Sequence, residues 1–125
     1  VNTFEKKIST DMEKNFEEFN LTLLNEFSDN DQQIIYDTLK ILKETLIEDV
    51  EKMILHLDNL NVLELKLLGH KIKPNFQLMG LDSLYKICDK IDKENIEDVH
   101  LISFVKILID CIPEVVDKIK IEMGR

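Results

Sequence analysis

Apolar residues recur every three or four positions along most of this chain, which is the spacing of the buried face of an α-helix. Such stripes predict a long helix over about residues 31–57 and further helices over about 62–79, 82–93 and 96–123. A short helix is predicted over residues 21–27. The apolar positions of the long helix are Ile34, Ile35, Leu39, Leu42, Leu46, Val50, Met53 and Leu57. The pattern therefore predicts an all-α protein.

Short polar segments separate the predicted helices. We expect Asp29 and Gln32 to form a capping box before the long helix, Gly80 to close the third helix and Asn95 to cap the last one. Pro113 should kink the last helix without ending it. Four substantial helices with connections of about two to five residues favour an up-down-up-down four-helix bundle, with the short N-terminal helix covering one end.

The first 20 residues are more polar than the rest. Phe4, Ile8, Met12, Phe16 and Phe19 recur at helical spacing, so residues 1–20 are predicted to be a helical lead-in or linker. Residues 21–125 are predicted to form the bundle as one domain. With 125 residues, the chain is long enough for one small core.

The net charge of −9, without a basic cluster, argues against nucleic acid and anionic membranes as partners. The two cysteines, Cys88 and Cys111, lack CxxC spacing and lie among apolar residues, so we expect reduced core thiols and no metal site. No apolar run approaches the roughly 20 residues that span a bilayer. We therefore expect a cytoplasmic, monomeric protein.

The third predicted helix carries a histidine on its polar side. On a helical wheel, the apolar residues fall within about 40° of one direction, and His70 lies about 160° from them, so its imidazole should face solvent. These apolar residues are Leu65, Leu68, Ile72, Phe76 and Met79.

The residues around His70 form an unusual surface. Lys73 and Gln77 follow at i+3 and i+7, so both should reach the space above the imidazole. Gly69 and Gly80 flank the histidine and leave room for close approach. Pro74 removes a helical hydrogen bond to the His70 carbonyl beside the same site. An apolar row of Leu63, Leu67, Pro74 and Leu81 shares the exposed side and is a predicted docking patch.

This run resembles the signature of histidine-containing phosphotransfer (HPt) domains. In that signature a histidine is followed by an apolar residue at i+2, lysine at i+3, glycine at i+4, an apolar residue at i+9 and glycine at i+10. Proline stands here at the i+4 position, where glycine is usual. The matching residues are His70, Ile72, Lys73, Met79 and Gly80, and the resemblance continues on the next helix through Leu84, Cys88, Ile91 and Asp92.

The resemblance, which covers about residues 21–122, implies a phosphorelay intermediate rather than an enzyme. His70, through Nε2, would accept a phosphoryl group from the aspartyl phosphate of a receiver domain and pass it to another receiver. Lys73 would neutralise part of its charge. The receiver, which can belong to a hybrid sensor histidine kinase, would supply the acceptor aspartate and Mg²⁺, so no cofactor is expected on this chain.

Two other interpretations remain open at this point. A di-iron carboxylate bundle needs two Glu-x-x-His pairs, and the chain has only Glu97 with His100. The second is an inactive HPt-like adaptor that docks receiver or other signalling domains without carrying a phosphoryl group. Both His70 and Lys73 are present, which favours the carrier.

Overall fold

The computed structural model describes residues 19–124, which fold into five α-helices and contain no β-strand. The helices are α1 (Thr22–Phe27), α2 (Gln32–Asp58), α3 (Val62–Leu78), α4 (Asp82–Ile91) and α5 (Asp98–Met123). The all-α prediction is confirmed, and the predicted ends agree with these bounds to within about two residues. Most of the predicted lead-in, residues 1–18, and Arg125 lie outside the described residues.

The five helices enclose one apolar core. Helix α2 packs against α3 and α5, while α4 packs against the same two helices, and α3 also contacts α5. Leu24 of α1 is fully buried in the same core. The largest buried side chains come from every helix and the α3–α4 junction, and they include Leu24, Leu46, Met53, Leu65, Ile72, Phe76, Met79, Leu81, Leu84, Ile91 and Leu101. Ile34 is exposed, although the sequence places it on the apolar face of the long helix α2.

Two predicted helix caps are wrong. The N-cap of α2 is Asp31, whose carboxylate accepts hydrogen bonds from the backbone N–H groups of Gln33 (2.9 Å) and Ile34 (3.2 Å). Asp29 instead adopts a left-handed conformation (φ 54°) in the turn that follows α1, so it cannot start the capping box. At α5 the residue before the helix is Glu97, without a side-chain cap, rather than Asn95.

The junction between α3 and α4 is built on Gly80, as predicted, with a φ of +68° that favours glycine. The backbone reverses there, so Leu81 points into the core and is only 2% exposed. The prediction that Leu81 belongs to the exposed docking row is therefore wrong. A helical wheel continued across Gly80 cannot represent this reversal.

Phe19 and Asn20 already contact the helical unit, although the sequence places both in the lead-in. The backbone N–H of Asn20 donates to the Met79 carbonyl over 3.1 Å, and Phe19 packs against the core. A Cβ atom on Gly80 would lie 2.5 Å from Cβ of Asn20, so Gly80 is covered rather than open.

Both prolines lie inside helices. Helix α3 continues through Pro74, and α5 continues past Pro113 as predicted. Both side chains are exposed, so each ring replaces a backbone donor on the solvent side of its helix. Within the described residues, no helix is long and apolar enough to span a bilayer.

Candidate functional site

His70 lies on the outer face of α3, as the wheel predicts, and its side chain is 68% exposed. Leu65 and Ile72, on the opposite face of the helix, are fully buried in the core. The imidazole thus contributes little packing and is open to a large partner.

Asp92 holds one edge of the imidazole. Its Oδ2 lies 3.0 Å from Nδ1 of His70. An ionised carboxylate only accepts hydrogen bonds, so Nδ1 carries the hydrogen and the lone pair of the neutral ring is on Nε2. No hydrogen bond to Nε2 is formed within residues 19–124. In the neutral imidazole of His70, Nε2 is therefore a nucleophilic nitrogen with a defined orientation and no hydrogen-bond partner among the described residues.

Lys73 lies against α4 instead of above the ring. Its Nζ is 2.8 Å from Oδ1 of Asp89 and 3.8 Å from Oδ2 of Asp92, the same oxygen that contacts His70. The ammonium is also 5.2 Å from the ring centroid of Tyr85, and the Lys73 side chain is only 19% exposed. The structure therefore brings Lys73 to the site but pairs it with carboxylates.

The Lys73–Asp89 pair is charged at neutral pH. The hydrogen bond from Lys73 lowers the pKa of Asp89, and the same hydrogen bond raises the pKa of Lys73. Nζ of Lys93 lies 3.9 Å from the other Asp89 oxygen, Oδ2. Asp89 thus lies between two cations, and only one of them comes from α3.

Gly69 permits the close contact between α3 and α4 on which this arrangement depends. A Cβ atom there would lie 2.7 Å from Cγ2 of the fully buried Ile91. Asp92 directly follows Ile91 and caps the end of α4. Close approach of the two helices therefore brings the Asp92 carboxylate within reach of His70.

A strip of exposed and mostly apolar side chains extends along α3 on both sides of the imidazole. We use the term His70 strip for Leu63, Leu67, His70, Pro74 and Gln77, all of which are exposed on α3. Leu81 is excluded from the strip because it is buried, and Gly80 is half-buried beneath Asn20. Of the six residues that the sequence assigns to docking and access, four thus share one surface: Leu63, Leu67, Pro74 and Gln77.

The alternative of a di-iron carboxylate site has less support among the described residues. No group of three or more histidine, cysteine, aspartate or glutamate side chains in residues 19–124 could hold a metal ion. His100 instead lines a cavity of about 790 Å³ between the end of α4 and the start of α5, with Phe104 and Val99. Cys88 and Cys111 are both buried, and burial raises the pKa of the Cys88 thiol to about 12.

Sequence reasoning missed Asp89 and gave Asp92 no role beyond the motif. The two carboxylates are three residues apart on α4, which places them on one helix face. That spacing was a usable signal, but it did not show which residues of α3 they would contact.

Comparisons with protein families, with curated proteins and with solved structures found no match for this chain. The functional conclusion therefore depends on the geometry of His70 and its neighbours.

Proposed function

We propose that this chain is a phosphorelay intermediate of the HPt type, in which His70 carries a phosphoryl group between receiver domains. One observation carries the proposal: His70 is exposed, Asp92 binds Nδ1, and Nε2 faces outward without a hydrogen-bond partner in residues 19–124. This combination suits a nucleophile that must meet a phosphorylated protein.

The proposed transfer moves one phosphoryl group and forms no other product. The Nε2 lone pair attacks phosphorus, an N–P bond forms, and the P–O bond to the receiver aspartate breaks with release of its carboxylate. Asp92 keeps the hydrogen on Nδ1 and stabilises the positive charge that the ring acquires. The reverse reaction with a second receiver returns His70 to its starting state.

The chain supplies only part of the catalytic apparatus, so we propose a carrier rather than an enzyme. The receiver would bring the acceptor aspartate and Mg²⁺. Lys73 is the nearby cation that could neutralise phosphoryl oxygens. Pro74 has no backbone N–H, so the amide at that position cannot bind the phosphoryl group.

The fold supports a docking role for the His70 strip. We propose that α2–α5 form an up-down-up-down four-helix bundle, because consecutive helices pack against each other in the order α2, α3, α4, α5, and α5 also packs against α2. The apolar residues Leu63, Leu67 and Pro74 would then be covered by the receiver around the reacting nitrogen. Receivers, alone or within a hybrid sensor kinase, are the proposed partners of a cytoplasmic monomer.

One observation favours a second candidate, an adaptor that docks receivers without carrying a phosphoryl group. The Lys73 ammonium is bound by Asp89, so it is not positioned over the imidazole. In that case His70 would lie in a docking surface and remain unmodified.

Incubation with a receiver domain carrying radioactive phosphate distinguishes the two candidates. The carrier predicts a base-stable, acid-labile label on the wild-type chain and none on His70→Gln. His100→Gln is the matched control, because it changes another exposed histidine and should label normally. A complex with the receiver but no label on the wild-type chain would indicate the adaptor instead.

A further inference from the structure

Asp89 has no described contact with His70, but it competes for the cation that the phosphoryl group needs. The Lys73 ammonium is 2.8 Å from Asp89 Oδ1 and lies over Tyr85, so in the unphosphorylated protein it is already paired. A phosphoryl group on Nε2 would add a charge of about −2 next to this pair. Lys73 can reach those oxygens only by giving up its short hydrogen bond to Asp89.

The structure supplies a replacement cation for Asp89. Lys93 is one turn beyond Asp89 along the chain, and its Nζ is 3.9 Å from Oδ2 of Asp89. The carbonyl of Lys93 is held by Nζ of Lys66 on α3 over 2.8 Å, which fixes the backbone after α4. Asp89 can therefore keep a counter-ion when Lys73 leaves.

We propose that Asp89 is a positioning residue that holds Lys73 away from the phosphoacceptor nitrogen and thereby lowers the stability of the phosphorylated state. The inference rests on the proposed function and concerns the regulation of the same site. A less stable phosphohistidine is a better phosphoryl donor. Asp89 thus favours onward transfer to a receiver over retention of the group on His70.

The test measures phosphohistidine formation with phosphoramidate, a small phosphoryl donor. The Nε2 lone pair attacks phosphorus, the P–N bond of phosphoramidate breaks, and ammonia leaves. At fixed phosphoramidate and ammonium concentrations, phosphorus NMR gives the ratio of phosphorylated to unphosphorylated protein. The ratio is measured once starting from unphosphorylated protein and once starting from phosphorylated protein. Asp89→Asn should raise this ratio by about threefold, as expected for loss of one partly exposed ion pair. Asp110→Asn, a matched loss of one exposed carboxylate on α5, should not change it.

A double-mutant cycle shows whether Asp89 acts through Lys73. In a Lys73→Met background, Asp89→Asn should leave the ratio unchanged. An equal rise of the ratio in both backgrounds would mean that Asp89 simply repels the phosphoryl group. No rise of the ratio in either background would mean that Asp89 does not influence the site. Either result overturns the proposal.

A second readout is independent of phosphorylation. Titration of the Lys73 side chain by carbon NMR should show that Asp89→Asn lowers its pKa and that Asp110→Asn does not. An unchanged Lys73 pKa would show that the pair is not formed in solution, and the inference would fail while the proposed function stood. Absence of phosphohistidine from the wild-type chain, with the expected Lys73 shift, would instead overturn the proposed function and the inference with it.

Discussion

The carboxylate of Asp92 accepts a hydrogen bond from Nδ1 of His70 over 3.0 Å and so joins the end of α4 to the outer face of α3. The two residues are 22 positions apart in the chain. The bond fixes which ring nitrogen is protonated and which is available for attack.

Removal of the Asp92 side chain should allow either ring nitrogen of His70 to carry the hydrogen. For Asp92→Ala we expect phosphorylation by phosphoramidate to slow about tenfold, in line with the loss of an orienting hydrogen bond, and a mixture of Nδ1 and Nε2 phosphohistidine to form. Asp92→Asn should retain Nε2 selectivity, because the amide oxygen can still accept from Nδ1. Exclusive Nε2 phosphorylation of Asp92→Ala at the wild-type rate would show that the carboxylate does not orient the ring.

The ion pair between Lys71 and Asp49 should be important for stability. Asp49 is fully buried; Oδ1 is 2.7 Å from Nζ of Lys71, and Oδ2 has no hydrogen-bond partner among the described residues. Lys71→Met would leave a buried carboxylate with neither oxygen bonded, and we expect the free energy of unfolding to fall by about 1–3 kcal/mol. Urea denaturation measures this change.

Two further variants separate the effect of leaving the buried Asp49 carboxylate unpaired from the effect of losing a surface lysine. Lys52→Met removes the exposed Lys52–Glu48 pair and should change stability little. Adding Asp49→Leu to Lys71→Met should recover much of the loss, because it removes the unpaired charge. A Lys71→Met protein as stable as Lys52→Met would contradict this account of the α2–α3 contact.

Gly69 should be required for the spacing of α3 and α4. Gly69→Ala would place a methyl group 2.7 Å from Cγ2 of Ile91, which is buried and cannot move away freely. We expect a loss of about 1–3 kcal/mol from overpacking, which exceeds the gain of about 1 kcal/mol in helix propensity. Gly124→Ala is the control, since its methyl group would meet only ordinary contacts at 3.5 Å or more. Equal stabilities of the two variants would show that the helices can separate without cost.

The protein should lose stability in alkali through Cys88. Burial raises the pKa of this thiol from 9.0 to about 12 in the folded state. Above pH 9 the unfolded chain releases the proton while the folded protein retains it, so the free energy of unfolding falls between pH 9 and 12. Cys88→Ala should show a shallower decline in urea denaturation between pH 9 and 10.5. Parallel curves for the two proteins would mean that Cys88 titrates normally in the fold.

The helices and the outward position of His70 follow from local periodicity, because residues on one face of a helix share one environment. Leu81 could not be placed in this way. Its direction depends on the left-handed backbone at Gly80, where the helix ends and the chain reverses. Asn95 and Asp29 were plausible caps by residue type, but the tertiary arrangement started α5 and α2 at other residues.

The ion pairs of the site depend on contacts between helices and not on one helix alone. Lys73 reaches Asp89 across 16 residues of sequence, and the depth of the α3–α4 contact at Gly69 determines whether that distance can be closed. A wheel shows that Lys73 and His70 are on nearby faces of α3. It does not show that α4 presents two carboxylates to them.

The proposed phosphorylation of His70 at Nε2 is tested most directly by a proton–phosphorus correlation spectrum of the phosphoramidate-treated protein. We predict one phosphohistidine whose phosphorus couples to both Hδ2 and Hε1 of His70, and loss of that signal in His70→Gln with unchanged helical circular dichroism. Phosphorus coupled only to Hε1, a signal that persists in His70→Gln, or no phosphohistidine at all would contradict the proposal.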